Sequence, residues 1–159
     1  TRIYSSGMSN GGFMSYHLAC NLSTKIAAIA SVTGSMTPET YSSCSPNHPT
    51  PILQIHGLRD GVVPYNGLSY IESIPKVMQY WSEYNSCNLE PEILIVDNFD
   101  DDYSINFETY MNCLNNINIK LILHSTMGHT WPMTNNYGLS ASNEIWDFVS
   151  QYDIYGKIN

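Results

Sequence analysis

Basic residues are scarce in this chain. Its 159 residues hold six Lys and Arg against fourteen Asp and Glu, a formal net charge of −8. A nucleic-acid binder needs a basic face to neutralise phosphates, so nucleic acid is excluded as a partner. Long hydrophobic runs are missing too: no stretch approaches the ~20 apolar residues that cross a bilayer, so no membrane span is expected. Internal repeats and low-complexity tracts are absent, which leaves one domain as the natural organisation. The four cysteines, Cys20, Cys44, Cys87 and Cys113, form no CxxC pair, and none stands at zinc-finger spacing from a histidine. A structural zinc is therefore not expected. An even count in an acidic chain points to disulfides formed in an oxidising compartment, with reduced buried thiols as the alternative; the spacing leaves all three pairings open.

What is present is organised around Arg2 to Met14. An apolar-polar run through Ile3 and Tyr4 reads as a short strand. Gly7-x-Ser9-x-Gly11 follows, and then Phe13 and Met14 open a helix. The five-residue pattern alone is weak. Between a strand and a helix it has the form of a nucleophile elbow, in which a tight turn strains the serine backbone and lifts Oγ above the sheet. The helix N-terminus behind it supplies partial positive charge and unpaired amides for a developing oxyanion, the first being the Asn10 N–H. The plain alternative is a Gly/Ser turn without chemistry.

Along the chain, residues 10–21 read as the helix after the elbow, with Phe13, Met14, Tyr16, His17 and Leu18 as its apolar face. Ile26 to Val32 and Pro51 to Gly57 lack alternation and suit strands buried on both faces. Residues 35–50, rich in Ser, Thr and Pro, read as loop. Ile71, Ile74, Met78 and Trp81 recur at helical spacing, giving a helix over about 73–85 with Pro75 in its first turn. Glu92 to Val96 is a short strand. Residues 97–118, with Asp100-Asp101-Asp102, read as an insertion or solvated edge loop; a plain acidic loop is the expectation there, with a metal site as the alternative. Ile119 to His124 is a clear strand. A last helix runs from about Ser140 or Ser142 to Tyr152, burying Ile145, Phe148, Val149 and Tyr152. Alternating strands and helices imply a parallel sheet with helices on its faces, and sites at the carboxyl ends of its strands.

Three loops leaving such strand ends carry Ser9, Asp60 and His129. A serine hydroxyl needs a base within reach, and the base needs an orienting acid. The order serine, acid, histidine is that of α/β-hydrolases. Among rivals for the base, His17 lies in a helix, His48 in a proline-flanked loop, His56 inside a strand and His124 at a strand end. Asp97, the 100–102 cluster and Asp153 are less well placed than Asp60, which directly follows a buried strand.

Gly7-Met8-Ser9-Asn10-Gly11-Gly12, His56-Gly57-x-x-Asp60-x-Val62-Val63-Pro64-Tyr65 and Gly128-His129-Thr130-Trp131-Pro132 together resemble the polyhydroxybutyrate depolymerase and feruloyl esterase group of secreted α/β-hydrolases. The likeness runs from about residue 2 to 150. It implies a mostly parallel sheet with helices on both faces. It also implies a secreted carboxylester hydrolase acting through an acyl-enzyme, with Ser9 as nucleophile, His129 as base and Asp60 as its partner. No cofactor is called for. The substrate would be a polyester or a feruloyl or acetyl ester of a polysaccharide. Tyr65 and Trp131 would border the pocket, with loop packing as the alternative. By the same likeness, Cys20 pairs with Cys44 and Cys87 with Cys113. Two departures stand beside the acid: Leu58 replaces the small residue usual after the His-Gly pair, and Arg59 is a bulky charge. The resemblance also implies strands before the elbow strand and a second oxyanion donor near the start of the fold, neither of which is among these residues. Residues 1–159 are therefore expected to be the C-terminal portion of a single hydrolase domain, weakly active or insoluble alone. A serine peptidase on the same fold and a non-catalytic binding module are the alternatives; an intact Ser9, Asp60 and His129 speaks against the second.

Overall fold

A computed structural model describes residues 1–98 and 102–158. The elements are β1 (Ile3–Met8), α1 (Asn10–Asn21), β2 (Ile26–Val32), α2 (Pro38–Ser43), β3 (Ile52–Gly57), α3 (Ile74–Tyr84), β4 (Glu92–Asn98) and β5 (Tyr103–Tyr110). A 3-10 turn at Leu114–Asn116 leads into β6 (Ile119–His124), α4 (Thr134–Tyr137), α5 (Ala141–Val149), β7 (Tyr152–Asp153) and β8 (Gly156–Lys157). Six strands form one sheet in the order β1-β2-β3-β6-β5-β4, and β7 and β8 form a small separate ribbon. Neighbours from β1 to β6 are parallel; β5 and β4 add on antiparallel. The carboxyl ends of β1, β2, β3 and β6 therefore share one edge of the sheet.

The unbroken apolar runs behave as strands covered on both faces. Every residue of β2 and β3 is buried. Gln54 of β3 and Leu121 of β6 are register partners, and Gln54 receives a hydrogen bond from Tyr16 of α1. The Tyr16 ring stacks 6.4 Å from Trp81 of α3, so α1 and α3 share that face. Lys120, next in β6, points the opposite way and pairs with Glu144 of α5. Helices thus cover both faces. α3 begins with Ser73 accepting from the Lys76 amide and Pro75 in its first turn, where its missing N–H is harmless. α5 is capped by Ser140 and buries Ile145, Phe148 and Val149.

The disulfides Cys20–Cys44 and Cys87–Cys113 are both formed. The first fastens the end of α1 to the segment after α2, and the second ties the segment after α3 to that after β5. Each closes a loop spanning about 25 residues, for which chain entropy predicts roughly 3–4 kcal/mol of stabilisation.

Four expectations are corrected. Residues 35–50 are not all loop: α2 lies within them, capped by the Thr37 hydroxyl with Pro38 in its first turn. The 97–118 stretch contains β5, a regular strand paired with β4 over residues 103–109 and with β6 over residues 105–110; Asp100 and Asp101 of the acidic cluster lie outside the described residues. On α1 the inward residues are Gly12, Ser15, Tyr16, Ala19 and Cys20, while Met14 and His17 are exposed. Small residues face in because this helix lies close against β1 and β2. The last helix ends at Val149, and Tyr152 instead opens the ribbon. β4 forms the outer edge and exposes Ile93, Leu94, Ile95 and Val96.

Candidate active site

β1 ends at Met8, and the chain reverses through Ser9 into α1. Ser9 has φ 54° and ψ −117°, a conformation sparsely populated by L residues. Such strain costs about 1–3 kcal/mol and persists only where surroundings enforce it. Here the Ser9 amide donates to the Val32 carbonyl at 2.8 Å, and the Ser9 carbonyl accepts from the Phe13 amide at 3.1 Å. The turn is tight enough that a Cβ on Gly7 would lie 2.7 Å from the backbone of Gly11. Asn10 is the first helical residue, so its N–H has no acceptor within α1.

Asp60 follows β3 by three residues and is almost wholly buried. Its Oδ1 accepts from the Val62 and Val63 amides at 2.9 and 2.8 Å, which curls the turn around the carboxylate. His129 lies in the loop after β6. Its Nδ1 stands 2.9 Å from Asp60 Oδ2 and 3.2 Å from Oδ1. A carboxylate only accepts, so Nδ1 carries a proton, and in the neutral ring Nε2 then keeps its lone pair. That is the tautomer a general base requires. The Asp60 and His129 loops are stitched together by Arg59 N–H to Met127 carbonyl at 3.1 Å and Leu58 N–H to His124 carbonyl at 3.0 Å. Only the backbone of Leu58 and Arg59 is used in this way, and both side chains are exposed, so these two departures leave the turn intact.

Two histidines set aside as candidate bases shape these loops. His124 Nδ1 accepts from the Thr126 and Met127 amides, both at 3.2 Å, and its ring lies 4.6 Å from that of Tyr103. His56 is fully buried; its Nδ1 faces Gln54 Nε2 at 3.0 Å and its Nε2 faces the Val63 carbonyl at 2.9 Å. Burial pushes both histidines below the ordinary value, with the carbonyl partner of His56 and the Asp60 charge opposing the shift only in part. The sequence signal was slight: His56 stands inside a strand directly before Gly57, and His124 ends one.

Tyr65 is half-buried, with its ring 6.4 Å from that of His56. Its hydroxyl is pushed up by burial and by the nearby Glu108 carboxylate. Trp131 is partly buried against the core, two residues beyond His129. Among the described residues, no group of three or more His, Cys, Asp and Glu is placed to hold a metal.

Residues 1–87, which include Ser9 and Asp60, match the phospholipase/carboxylesterase family of α/β-hydrolases. Feruloyl esterase B of Piromyces equi is 31% identical over 165 residues, covering 96% of this chain and 28% of that protein. The bifunctional acetylxylan esterase/xylanase XynS20E of Neocallimastix patriciarum is 25% identical over 158 residues, covering 99% of this chain and 21% of that protein. "Probable feruloyl esterase C" of Aspergillus clavatus is 40% identical over 65 residues, 40% of this chain and 22% of its own length. The chain thus spans between a fifth and a third of the length of these relatives. With the elbow geometry, the mostly parallel sheet and the family match in agreement, the chain belongs to the phospholipase/carboxylesterase family of α/β-hydrolases.

Proposed function

We propose that this chain carries the catalytic residues of a serine carboxylester hydrolase, with Ser9 as nucleophile, His129 as base and Asp60 as its orienting partner. The observation that carries the reading is the strained Ser9 backbone at the mouth of α1, on the same sheet edge as the half-buried His129 paired with a buried Asp60. His129 Nε2 takes the Ser9 proton as Oγ attacks the ester carbonyl. The Asn10 N–H and the α1 terminus hold the oxyanion. The alcohol leaves with the proton from His129, and water repeats the sequence on the acyl-enzyme.

Polyesters of hydroxyalkanoates and feruloyl or acetyl esters of polysaccharides would both use this machinery. The names of the feruloyl esterase and acetylxylan esterase relatives favour the second. Two disulfides support an extracellular setting for the protein. Tyr65 and Trp131, beside the acid and the base, are the aromatic residues proposed to meet the substrate. A fluorophosphonate probe on the full-length protein, with the adduct located by mass spectrometry, tests the triad. Label is expected on Ser9, lost in Ser9→Ala and weakened in His129→Ala. A folded, disulfide-intact protein that takes no label would end the esterase reading. Turnover of methyl ferulate and acetylated xylan against a hydroxybutyrate oligomer then tests the substrate class.

A further inference from the structure

Beneath the Asp60–His129 pair lies a buried polar chain that the proposed reaction does not use. Tyr16, Gln54 and His56 are each fully buried, and they come from the elbow helix and from β3. Tyr16 donates to Gln54 Oε1 at 2.8 Å. Gln54 Nε2 reaches the Gly34 carbonyl at 3.0 Å and His56 Nδ1 at 3.0 Å. His56 Nε2 reaches the Val63 carbonyl at 2.9 Å and stands 3.9 Å from Asp60 Oδ2.

Two groups in this chain can only accept, and they fix every proton in it. The Gly34 carbonyl requires the amide nitrogen of Gln54 on its side, so that nitrogen also donates to His56 Nδ1. The Val63 carbonyl requires a proton on His56 Nε2, which agrees with Nδ1 acting as acceptor. Tyr16 then donates to the one remaining acceptor, Gln54 Oε1. Both directions lead to the same tautomer.

We propose that His56 is a positioning residue for the acid turn: in its Nε2–H tautomer it holds the Val63 carbonyl, which keeps the Val63 amide on Asp60 Oδ1 and Asp60 aimed at His129. The proposal rests on the triad reading above. Val63 is gripped at both ends, its N–H by Asp60 and its C=O by His56. Without the His56 donor, the carbonyl is left buried and unpartnered, and the peptide turns to find one. The shift of the 63–64 peptide is passed through the Val63 Cα to the 62–63 peptide, whose N–H then leaves the carboxylate. Simple filling of the core would need no such polarity, since an apolar side chain would satisfy it.

The two amides divide the functions of the ring between them. In H56Q the amide nitrogen falls near the place of Nε2 and keeps the donor to Val63. In H56N the amide falls near Nδ1 and stops short of Val63. In the full-length protein, H56N is expected to lose about 10–100-fold in kcat on p-nitrophenyl acetate with KM within about twofold, the scale of a misplacement approaching 1 Å. H56Q is expected to recover most of that loss. Thermal melts confirm that each variant is folded at the assay temperature. Equal losses in both variants, or wild-type kcat in H56N, would overturn the positioning role. If H56N does not fold, nitrogen-15 NMR of the wild-type histidines decides: the Nε2–H tautomer of His56 supports the proposal and Nδ1–H overturns it. Fluorophosphonate labelling separates the two levels of the argument. An unlabelled wild-type Ser9 overturns the triad reading and this proposal with it, whereas a labelled wild type with H56N at the same rate overturns this proposal alone.

Discussion

Replacing Gly57 by alanine would force a methyl group into the seam between the Asp60 and His129 loops. A Cβ at this position would sit 2.0 Å from the Met127 carbonyl oxygen, 2.5 Å from its carbon and 2.8 Å from its Cβ. Real Cβ atoms keep at least 3.0 Å from such neighbours, so the seam must open by about 1 Å. Neither side yields readily. Met127 is fully buried, its carbonyl accepts from Arg59 N–H, and its amide is held by His124. Asp60 lies three residues beyond Gly57 and His129 two beyond Met127, so the opening falls on the 2.9 Å contact between them. Stretched by 1 Å, that contact is no longer a hydrogen bond. Overpacking of this kind costs about 1–3 kcal/mol, a fall in Tm of roughly 3–10 °C for a chain of this size. Misplacing the pair costs on the order of 10²-fold in kcat/KM. The assay is a thermal melt with p-nitrophenyl acetate turnover, run beside Gly61→Ala, where an added Cβ meets nothing within 4 Å. Gly61→Ala should behave as wild type. A Gly57→Ala protein with unchanged Tm and unchanged turnover would refute the idea that the two loops are locked together here.

Asp60→Asn keeps an oxygen for the Val62 and Val63 amides but loses the charge that orients His129. Labelling of Ser9 should therefore fall by about 10³–10⁴ while urea unfolding moves by less than about 1 kcal/mol; comparable losses in both would make Asp60 a structural residue. The Cys87→Ala, Cys113→Ala double variant should lose roughly 2–4 kcal/mol in the same urea assay, and an unchanged midpoint would show that this bridge constrains nothing. Burial lowers His56 and His124 below 6.5, so both stay neutral in the fold while the unfolded chain takes up protons as pH falls below that value. Their contribution to stability is complete above pH 6.5 and declines as pH falls toward their folded values. H56Q should accordingly show a shallower loss of Tm between pH 7.5 and pH 5 than wild type; equal slopes would mean that His56 is not held neutral.

How much of this was legible in the sequence depended on pattern length. β2, β3 and β6 declared themselves as apolar runs, because strands covered on both faces need no polar alternation. α3 and α5 showed their stripes because each lies with one face against the sheet. β5 was missed although Tyr103, Ile105, Phe107 and Thr109 alternate with Ser104, Asn106 and Glu108. Its polar face and the adjacent aspartates read as a solvated loop, and only pairing with β4 and β6 makes it a strand. α2 was too short for periodicity, yet Thr37-Pro38-Glu39 is a helix start in miniature, with cap, proline and early acid. At the candidate site, the positions of Ser9, Asp60 and His129 at strand ends were visible from spacing. The work of His56 and His124 was not, since it consists of hydrogen bonds to backbone groups whose positions exist only in the folded chain.

The φ of 54° at Ser9 sets folding against chemistry at a single position. Glycine occupies such a conformation at little steric cost, so Ser9→Gly would relieve strain of about 1–3 kcal/mol at the mouth of α1. A screen that rewarded only thermal endurance would thus drift toward erasing the side chain proposed to carry out the reaction. Serine at this point is a choice that stability alone does not explain, and any effort to toughen the protein should hold residue 9 fixed while the rest of the chain is varied.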